Sequence, residues 1–292
     1  MLTRELLDRV RRLEIRTRKL VDHLVAGAYH SVFKGRGIEF HEVREYLPED
    51  DARSIDWNVT ARFARPFVKQ YVEERELSVM LLVDISASGD FGSRGRSKNE
   101  QAAELAALLA FSAIRNNDRV GLLMFTSEPE VYLPMRKGHR HALRVIRELL
   151  AGERRRRQTD LGSALRRTLR ILPRRAVIFL ISDFLDSGYE KPLAVASYRH
   201  DLVAVRIADP MELDMPPPPG LLSLEDAESG RIIAFNGRSG EQRRNYRNTA
   251  ARLREDADKA CRKAKVDLID IMVGQDVVEP LMKFFHARRK LR

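Results

Sequence analysis

Residues 78–88 have the sequence SVMLLVDISAS, and this stretch decides the fold. Its first half is an uninterrupted apolar run, which is typical of a strand that is buried on both faces, as in a parallel sheet. The run ends at Asp84, and Ser86 and Ser88 follow at every second position. We therefore predict a central buried strand that delivers three oxygen-bearing side chains to one loop.

Strands and helices alternate after this strand. Three further apolar segments, RVGLLMFT, AVIFLISDF and DLVAVRIAD, match buried strands, and EVYLP matches a short one. Ala- and Leu-rich or amphipathic helical segments lie between them. This alternation predicts a doubly wound α/β fold, with a mostly parallel sheet flanked by helices on both faces and joined by right-handed crossovers.

A proline run at residues 216–219 interrupts the alternation. The segment after it, GLLSLEDAESGRIIAFNG, has two apolar stretches around the turn sequence ESG, and so predicts a β-hairpin near 220–236. A long basic helix, the strand VDLIDIMV and a final helix follow. The hairpin is thus predicted to be an insertion before the last strand–helix unit of a domain spanning residues 77–292.

Residues 1–76 have a different character and form the predicted N-terminal part of the chain. Apolar residues at helical spacing predict an amphipathic helix over residues 2–26. Residues 29–76 contain helix-breaking Gly and Pro and alternating stretches such as IEFHEV and PFVKQYV, which predict a β-rich segment with turns. We expect that segment to extend one edge of the following domain.

Five polar side chains are predicted to meet at the carboxyl edge of the sheet, where open parallel sheets bind ligands. They are Asp84, Ser86, Ser88, Thr159 and Asp183. Hard oxygen donors suit Mg²⁺ or Mn²⁺, with the hydroxyls as ligands and the carboxylates acting through water. Each residue could instead only cap a helix or satisfy a loop. Their joint placement at strand ends and a helix start favours a divalent-cation site.

Bulk composition excludes several classes of protein. Hydrophobic residues make up 43% of the chain and charged residues 33%, which indicates a folded protein with a heavily ionised surface. The single cysteine, Cys261, excludes an intramolecular disulfide framework and a cysteine-rich zinc site. No apolar run approaches the roughly 20 residues of a membrane span. The N-terminus lacks the apolar core of a secretory signal, so we expect a cytoplasmic protein.

Motifs of common enzymes are missing from the sequence. Neither GxxxxGK[ST] nor GxSxG occurs, and the histidines lack metal-ligand spacing and are expected at the surface. We therefore predict a binding protein rather than an enzyme, in which an acidic side chain of a partner protein completes the coordination of the ion. The alternative is a Mg²⁺-dependent hydrolase, similar to a phosphoesterase, because the same open position could activate water.

The chain carries an excess of basic residues, with a formal net charge of +11. A run of four, Arg154, Arg155, Arg156 and Arg157, precedes Thr159 and could recruit an acidic partner peptide or could simply be a solvated loop. The basic helix over 238–265 could bind nucleic acid. Its one aromatic residue, Tyr246, offers little for base stacking, so nucleic-acid binding is not expected.

The DxSxS string at 84–88, Thr159-Asp160 and Asp183 resemble the metal-ion-dependent adhesion site of von Willebrand factor A domains. The segment 35–76 resembles the hallmark of the DUF58 family of bacterial proteins. The matching positions are Asp50, Asp51, Arg53, Ile55, Asp56, Trp57, Thr60, Ala61, Arg62, Glu74, Arg75 and Glu76. This resemblance implies a MoxR-type AAA+ ATPase as partner, in the chaperone-like assembly or maturation of client proteins.

The DDxRxIDW string at residues 50–57 is predicted to form a structural network rather than a second functional surface. Its aspartates have arginines at hand as ion-pair partners, and Trp57 is expected to anchor the packing. The acidic residues are Asp50, Asp51 and Asp56, and the basic ones are Arg44, Arg53 and Arg62.

Overall fold

A computed structural model describes residues 39–63, 65–72, 76–152, 156–215 and 220–290, together with positions 8, 10–15, 17, 29, 32 and 33. The described residues divide into two compact units, one formed by residues 33–77 and the other by the rest. The helix predicted over residues 2–26 lies mostly outside the described residues, although positions 10–15 are helical.

The small unit is built on two antiparallel strands, β1 (Glu39–Glu45) and β2 (Phe67–Val72). They form a two-stranded sheet of their own and are not strands of the six-stranded sheet. A short helix, α1 (Trp57–Phe63), was not predicted. It starts where the Asp56 carboxylate accepts the N–H groups of Asn58 and Val59, a capping arrangement that outweighs the β-like composition around it.

The predicted network in the small unit is partly present. The Arg44 guanidinium donates two hydrogen bonds, of 2.7 and 2.6 Å, to Asp50, and this pairing lowers the pKa of that carboxyl. Asp51 instead accepts the N–H of Arg53 and caps a 3₁₀ turn. Trp57 is 70% exposed, so the expectation that it anchors the packing is wrong, because α1 buries none of its residues.

Among the described residues, the larger unit contains a six-stranded sheet and its covering helices. Its elements are β3 (Ser78–Asp84), a 3₁₀ turn (Ala87–Asp90), α2 (Lys98–Arg115), β4 (Arg119–Phe125), β5 (Pro129–Arg136), α3 (His139–Ala151), α4 (Leu161–Ile171), β6 (Val177–Ser182), α5 (Glu190–Arg199), β7 (Asp201–Ala208), α6 (Pro210–Leu213), β8 (Leu221–Glu225), β9 (Ile232–Asn236), α7 (Gly240–Ala264), β10 (Asp267–Met272) and α8 (Val278–Lys290). The strand order is β10-β7-β6-β3-β4-β5, and only β5 is antiparallel to its neighbour. The predicted doubly wound α/β fold is confirmed.

The central strand β3 is buried on both faces, as its continuous apolar run predicts. Met80 and Leu82 belong to a core cluster with residues of α4, α5 and α7. Val79, Leu81 and Val83 are equally buried and point to the opposite face, where α2 contacts β3 and β4. Burying one such side chain contributes about 1.5–3 kcal/mol. This double-sided burial fixes the strand end from which the polar loop starts.

The predicted hairpin is present, with β8 and β9 paired antiparallel as a sheet of their own. Its turn covers residues 226–230, and Gly230 takes a φ of +71° that favours glycine. No helix among the described residues combines the length and apolar character that crossing a bilayer requires.

Two side-chain expectations had different outcomes. Cys261 is buried on α7, and burial raises the pKa of its thiol to about 11, so it is a packed thiol as expected. His141 and His200 are buried, so the expectation that all the histidines lie at the surface is wrong. The His141 Nε2 atom lies 2.9 Å from the carbonyl oxygen of Val120, a partner that permits its burial.

Candidate divalent-cation site

The loops after β3 and β6 leave the same edge of the sheet in opposite directions. The chain passes from β3 to β4 on one side of the sheet, and from β6 to β7 on the other. The carboxyl ends of two adjacent parallel strands therefore open a crevice at the point where the strand order reverses. Asp84 is the last residue of β3, and Asp183 directly follows β6.

The Asp84 carboxylate is held from both sides. Its Oδ1 atom accepts the N–H of Ser86 at 2.9 Å, and its Oδ2 atom accepts the hydroxyl of Ser182 at 2.7 Å. Burial, and next the charge of Asp183, raise the pKa of Asp84 to about 7. Two donors thus fix the orientation of a carboxyl group that burial and a neighbouring negative charge make hard to ionise.

The predicted oxygen donors around Asp84 form one hydrogen-bonded chain. The Oγ atoms of Ser86 and Ser88 lie 3.0 Å apart, and Ser88 Oγ donates to Asp183 Oδ2 at 2.7 Å. Ser86 stands at the N-cap of the 3₁₀ turn, yet its side chain makes no capping hydrogen bond. The capping alternative is therefore not adopted by Ser86, whose hydroxyl faces the other polar groups instead.

The backbone beside Asp183 is strained. Phe184 is buried and takes a φ of +59°, in the left-handed region that side chains with a Cβ rarely adopt. Its N–H donates to the Ser182 hydroxyl, and the N–H of Leu185 donates to Asp183 Oδ1. Strain of this kind persists only where surrounding contacts hold it, as occurs at functional sites.

Thr159 lies on the neighbouring segment, outside the hydrogen-bonded chain described above, and its partner is a residue that was not predicted. Its hydroxyl donates to Glu228 Oε1 at 2.8 Å. The N–H of Ala87 donates to the Arg157 carbonyl at 2.9 Å, which ties the two loops together. Asp160, rather than Thr159, is the N-cap of α4, so the alternative that Thr159 caps this helix is wrong.

A buried lysine completes the cluster. Lys98 Nζ donates to Asp183 Oδ2 at 2.7 Å and to Glu212 Oε1 at 2.5 Å, and its side chain is 3% exposed. Burial opposes the charge of Lys98, but the two carboxylates outweigh it and the pKa is raised. Burial also raises the pKa of Glu212. The site therefore holds one ammonium between two acidic groups.

Sequence reasoning missed Lys98, Ser182, Glu212 and Glu228. One local feature could have indicated Lys98. A lysine at the first position of a helix is unfavourable because its charge opposes the helix dipole, so its presence there suggests another role. Ser182 directly precedes the predicted Asp183 in the same strand end. No local pattern connects Glu228 with Thr159, which lies 69 residues away.

The cluster offers a metal ion mainly hydroxyl ligands. Among the described residues, no group of three or more His, Cys, Asp or Glu side chains is arranged to hold one. An ion here would depend on the serine and threonine hydroxyls, with Asp84 and Asp183 beside them. These are hard oxygen ligands, which fit Mg²⁺ or Mn²⁺. The positive charge of the Lys98 ammonium would repel such an ion.

The basic run before Thr159 is only partly described, because Arg154 and Arg155 lie outside the described residues. The N–H of Arg156 donates to Glu130 at 3.2 Å. Arg157 Nε donates to the carbonyl of Ala227 at 3.0 Å. These two exposed arginines therefore contact other loops of the same chain at the rim of the site.

A cavity of about 670 Å³ extends from the site beneath the hairpin. Its polar lining residues include Ser88, Asp183 and Glu228, and its apolar ones include Leu224 and Leu253. Asp90, the last residue of the 3₁₀ turn after β3, accepts a hydrogen bond of 3.0 Å from the side-chain amide of Asn99.

Comparison with known proteins identifies the family. The family model "Protein of unknown function DUF58" matches residues 42–256. The uncharacterized protein Rv1480 of Mycobacterium tuberculosis is 31% identical over 288 residues, which cover 96% of this chain and 89% of that protein. Among solved structures, the conserved hypothetical protein BatB from Bacteroides thetaiotaomicron is 16% identical with a TM-score of 0.47, over 73% of this chain and 99% of that chain. The SpRpn10 VWA domain is 12% identical with a TM-score of 0.40, over 72% of this chain and 95% of that chain. The chain belongs to the DUF58 family.

Proposed function

We propose that this protein is a cytoplasmic, Mg²⁺- or Mn²⁺-dependent adaptor that binds an acidic residue of a partner protein. The residues that would hold the ion are Asp84, Ser86, Ser88, Thr159 and Asp183. The observation that carries the proposal is the hydrogen-bonded chain from Ser86 through Ser88 to Asp183 at the strand-order reversal. A bound ion would supply the positive charge that attracts a partner carboxylate.

The surroundings of the site favour binding over catalysis. Asp183 Oδ2 accepts hydrogen bonds from both Ser88 and Lys98, and Glu212 is engaged by the same ammonium. A general base needs a lone pair within reach of the proton that it removes. Asp183 and Glu212 thus share the Lys98 ammonium, which disfavours either one as a general base and supports a role in recognition.

The partner is proposed from the family resemblance. A MoxR-type AAA+ ATPase would supply the energy, and the adaptor would connect it with a client protein during assembly or maturation. Arg156 and Arg157 are exposed at the rim and would add positive charge for an acidic ligand. Co-purification with such an ATPase in Mg²⁺ and in EDTA tests this part, and equal capture in both would contradict it.

Calorimetric titration of the full chain with Mg²⁺ and Mn²⁺ tests the site itself. Asp84→Asn keeps the shape of a side chain that accepts two hydrogen bonds but removes its charge, so we expect metal binding to be lost. Asp90→Asn, on the exposed part of the same loop, is the matched control and should bind like wild type. Equal binding by Asp84→Asn and wild type would refute the proposed site.

The hydrolase alternative has its own assay. Generic phosphoester and peptide substrates are incubated with the protein in Mg²⁺ or Mn²⁺. We expect no turnover above that of a buffer control. Turnover that disappears in Asp84→Asn and persists in Asp90→Asn would show that the protein is an enzyme and contradict the adaptor proposal.

A further inference from the structure

The turn of the β8–β9 hairpin presents a carboxylate to the candidate site. Glu228 Oε1 accepts the Thr159 hydroxyl at 2.8 Å, and Oε2 accepts the Thr159 N–H at 3.4 Å. Both hydrogen-bond donors of Thr159 thus donate to one side chain. The same glutamate lines the cavity that Ser88 and Asp183 also line. An acidic side chain of the chain itself therefore lies beside the candidate site.

A second contact connects the hairpin with the rim. Arg157 Nε donates to the Ala227 carbonyl at 3.0 Å, and the guanidinium lies 3.4 Å from Glu225. The carbonyl of the same arginine accepts the N–H of Ala87 in the β3 loop. The hairpin turn is therefore coupled to the β3 loop through residues 157–159.

The hairpin has little apolar packing of its own. Within β8 and β9, which are fully described, Phe235 alone is buried, and its ring packs edge-on against Tyr246 at 5.9 Å. Leu221 and Ile232 are 75% and 70% exposed. A two-stranded hairpin is marginally stable by itself. Its position thus depends on a few polar contacts, and elements of this kind open locally at low cost in free energy.

We infer that the hairpin is an internal cap of the site, in which Glu228 takes the place of the partner's carboxylate. A partner can engage the site only when Glu228 leaves Thr159 and the turn releases. The inference rests on the proposed function, because it concerns the entry of an acidic ligand. It also defines the chemistry of that ligand, which is a carboxylate able to replace Glu228 at the Thr159 hydroxyl.

Hydrogen exchange of the full chain in EDTA tests the cap without metal. Glu228→Ala should accelerate exchange of the amides of 221–236 by about tenfold or more, because a hydrogen bond to a charged group is lost. Glu225→Ala is the matched control in the same hairpin. It removes only an exposed ion pair, so its exchange should stay close to wild type. Equal exchange in the two variants would overturn the cap, and unchanged exchange in β3 and β6 shows that the fold is intact.

Acetyl-glutamate amide, titrated in Mg²⁺, tests the ligand position. We expect it to bind Glu228→Ala at least tenfold more tightly than wild type or Glu225→Ala, because the internal carboxylate no longer competes. Accelerated exchange without tighter probe binding, in protein that binds Mg²⁺, would overturn the role of Glu228 as an internal ligand. Failure of the proposed function has a different outcome. No variant would then bind Mg²⁺, and the ligand role of Glu228 would be overturned with it.

Discussion

The two halves of the candidate site are built differently. In the half formed by the ends of β3 and β6 and the start of α2, the side chains of Lys98 and Asp183 are 3% and 7% exposed, and Ser86 is 1% exposed. In the half formed by residues 157–159 and the hairpin, the side chains of Arg157 and Glu225 are 57% and 58% exposed. We call the buried half the frame; the exposed half is where the proposed replacement of Glu228 by a partner's carboxylate would take place.

This difference has an energetic consequence. Leaving a buried polar group without its partner costs about 1–3 kcal/mol, and more when the group is charged. Breaking an exposed ion pair costs about 0–1 kcal/mol. Substitutions in the frame should therefore reduce the free energy of unfolding, and substitutions in the exposed half should change ligand access with little effect on stability.

The largest effect is expected for Lys98→Met. This variant leaves the Asp183 and Glu212 carboxylates without their buried cation, which should lower the free energy of unfolding by about 3–5 kcal/mol. Denaturant unfolding measures the loss. If an ion binds at Asp183, saturating Mg²⁺ should restore part of the stability, because binding to the native state alone is stabilising.

Lys191→Met is the matched control for Lys98→Met. Lys191 also lies in the first turn of a helix, but it is exposed, so the change in stability should stay within about 0.5 kcal/mol. Equal losses in the two variants would contradict the fixed frame. If Mg²⁺ restores none of the stability that Lys98→Met loses, the lysine alone balances the charge of the acidic groups.

A smaller effect is expected for Ser182→Ala, which removes the donor to Asp84 Oδ2 and the acceptor of the Phe184 N–H. Both partners are buried, so the free energy of unfolding should fall by about 1–3 kcal/mol. Ser187→Ala changes an exposed serine of the same loop and should have no measurable effect. If Ser182→Ala leaves the free energy of unfolding unchanged, Asp84 is oriented without this hydroxyl.

Asp84, Ser86, Ser88 and Asp183 in the frame could be predicted from the sequence, whereas Lys98 and Ser182 could not. The apolar run of β3 stops at Asp84, which indicates where the strand ends. Polar residues at every second position from 84 to 88 place Ser86 and Ser88 beside Asp84. Lys98 and Asp183 are 85 residues apart, and Thr159 and Glu228 are 69 apart. Such contacts depend on how helices and the hairpin pack, which local periodicity does not encode. The exposed Trp57 shows the same limit, because its local pattern resembles that of a buried aromatic residue.

Thr159→Val tests whether Thr159 belongs to the frame or to the exposed half of the site. The hydroxyl contacts the partly exposed Glu228, so the free energy of unfolding should fall by no more than about 1 kcal/mol. Binding of Mn²⁺, followed by calorimetry, should weaken clearly, because a predicted oxygen ligand is lost. A stability loss as large as that of Ser182→Ala would place Thr159 in the frame.

The smallest effect is expected for Arg157→Ala, which tests whether the exposed half is held by its turn contacts. The variant removes the hydrogen bond to Ala227 and the 3.4 Å ion pair with Glu225, but the backbone bond from Ala87 to the carbonyl of residue 157 remains. The free energy of unfolding should change by less than about 0.5 kcal/mol. Exchange of the hairpin amides should accelerate, but less than in Glu228→Ala, because the carboxylate still holds Thr159. Exchange as fast as in Glu228→Ala would show that Arg157, rather than Glu228, closes the hairpin over the site.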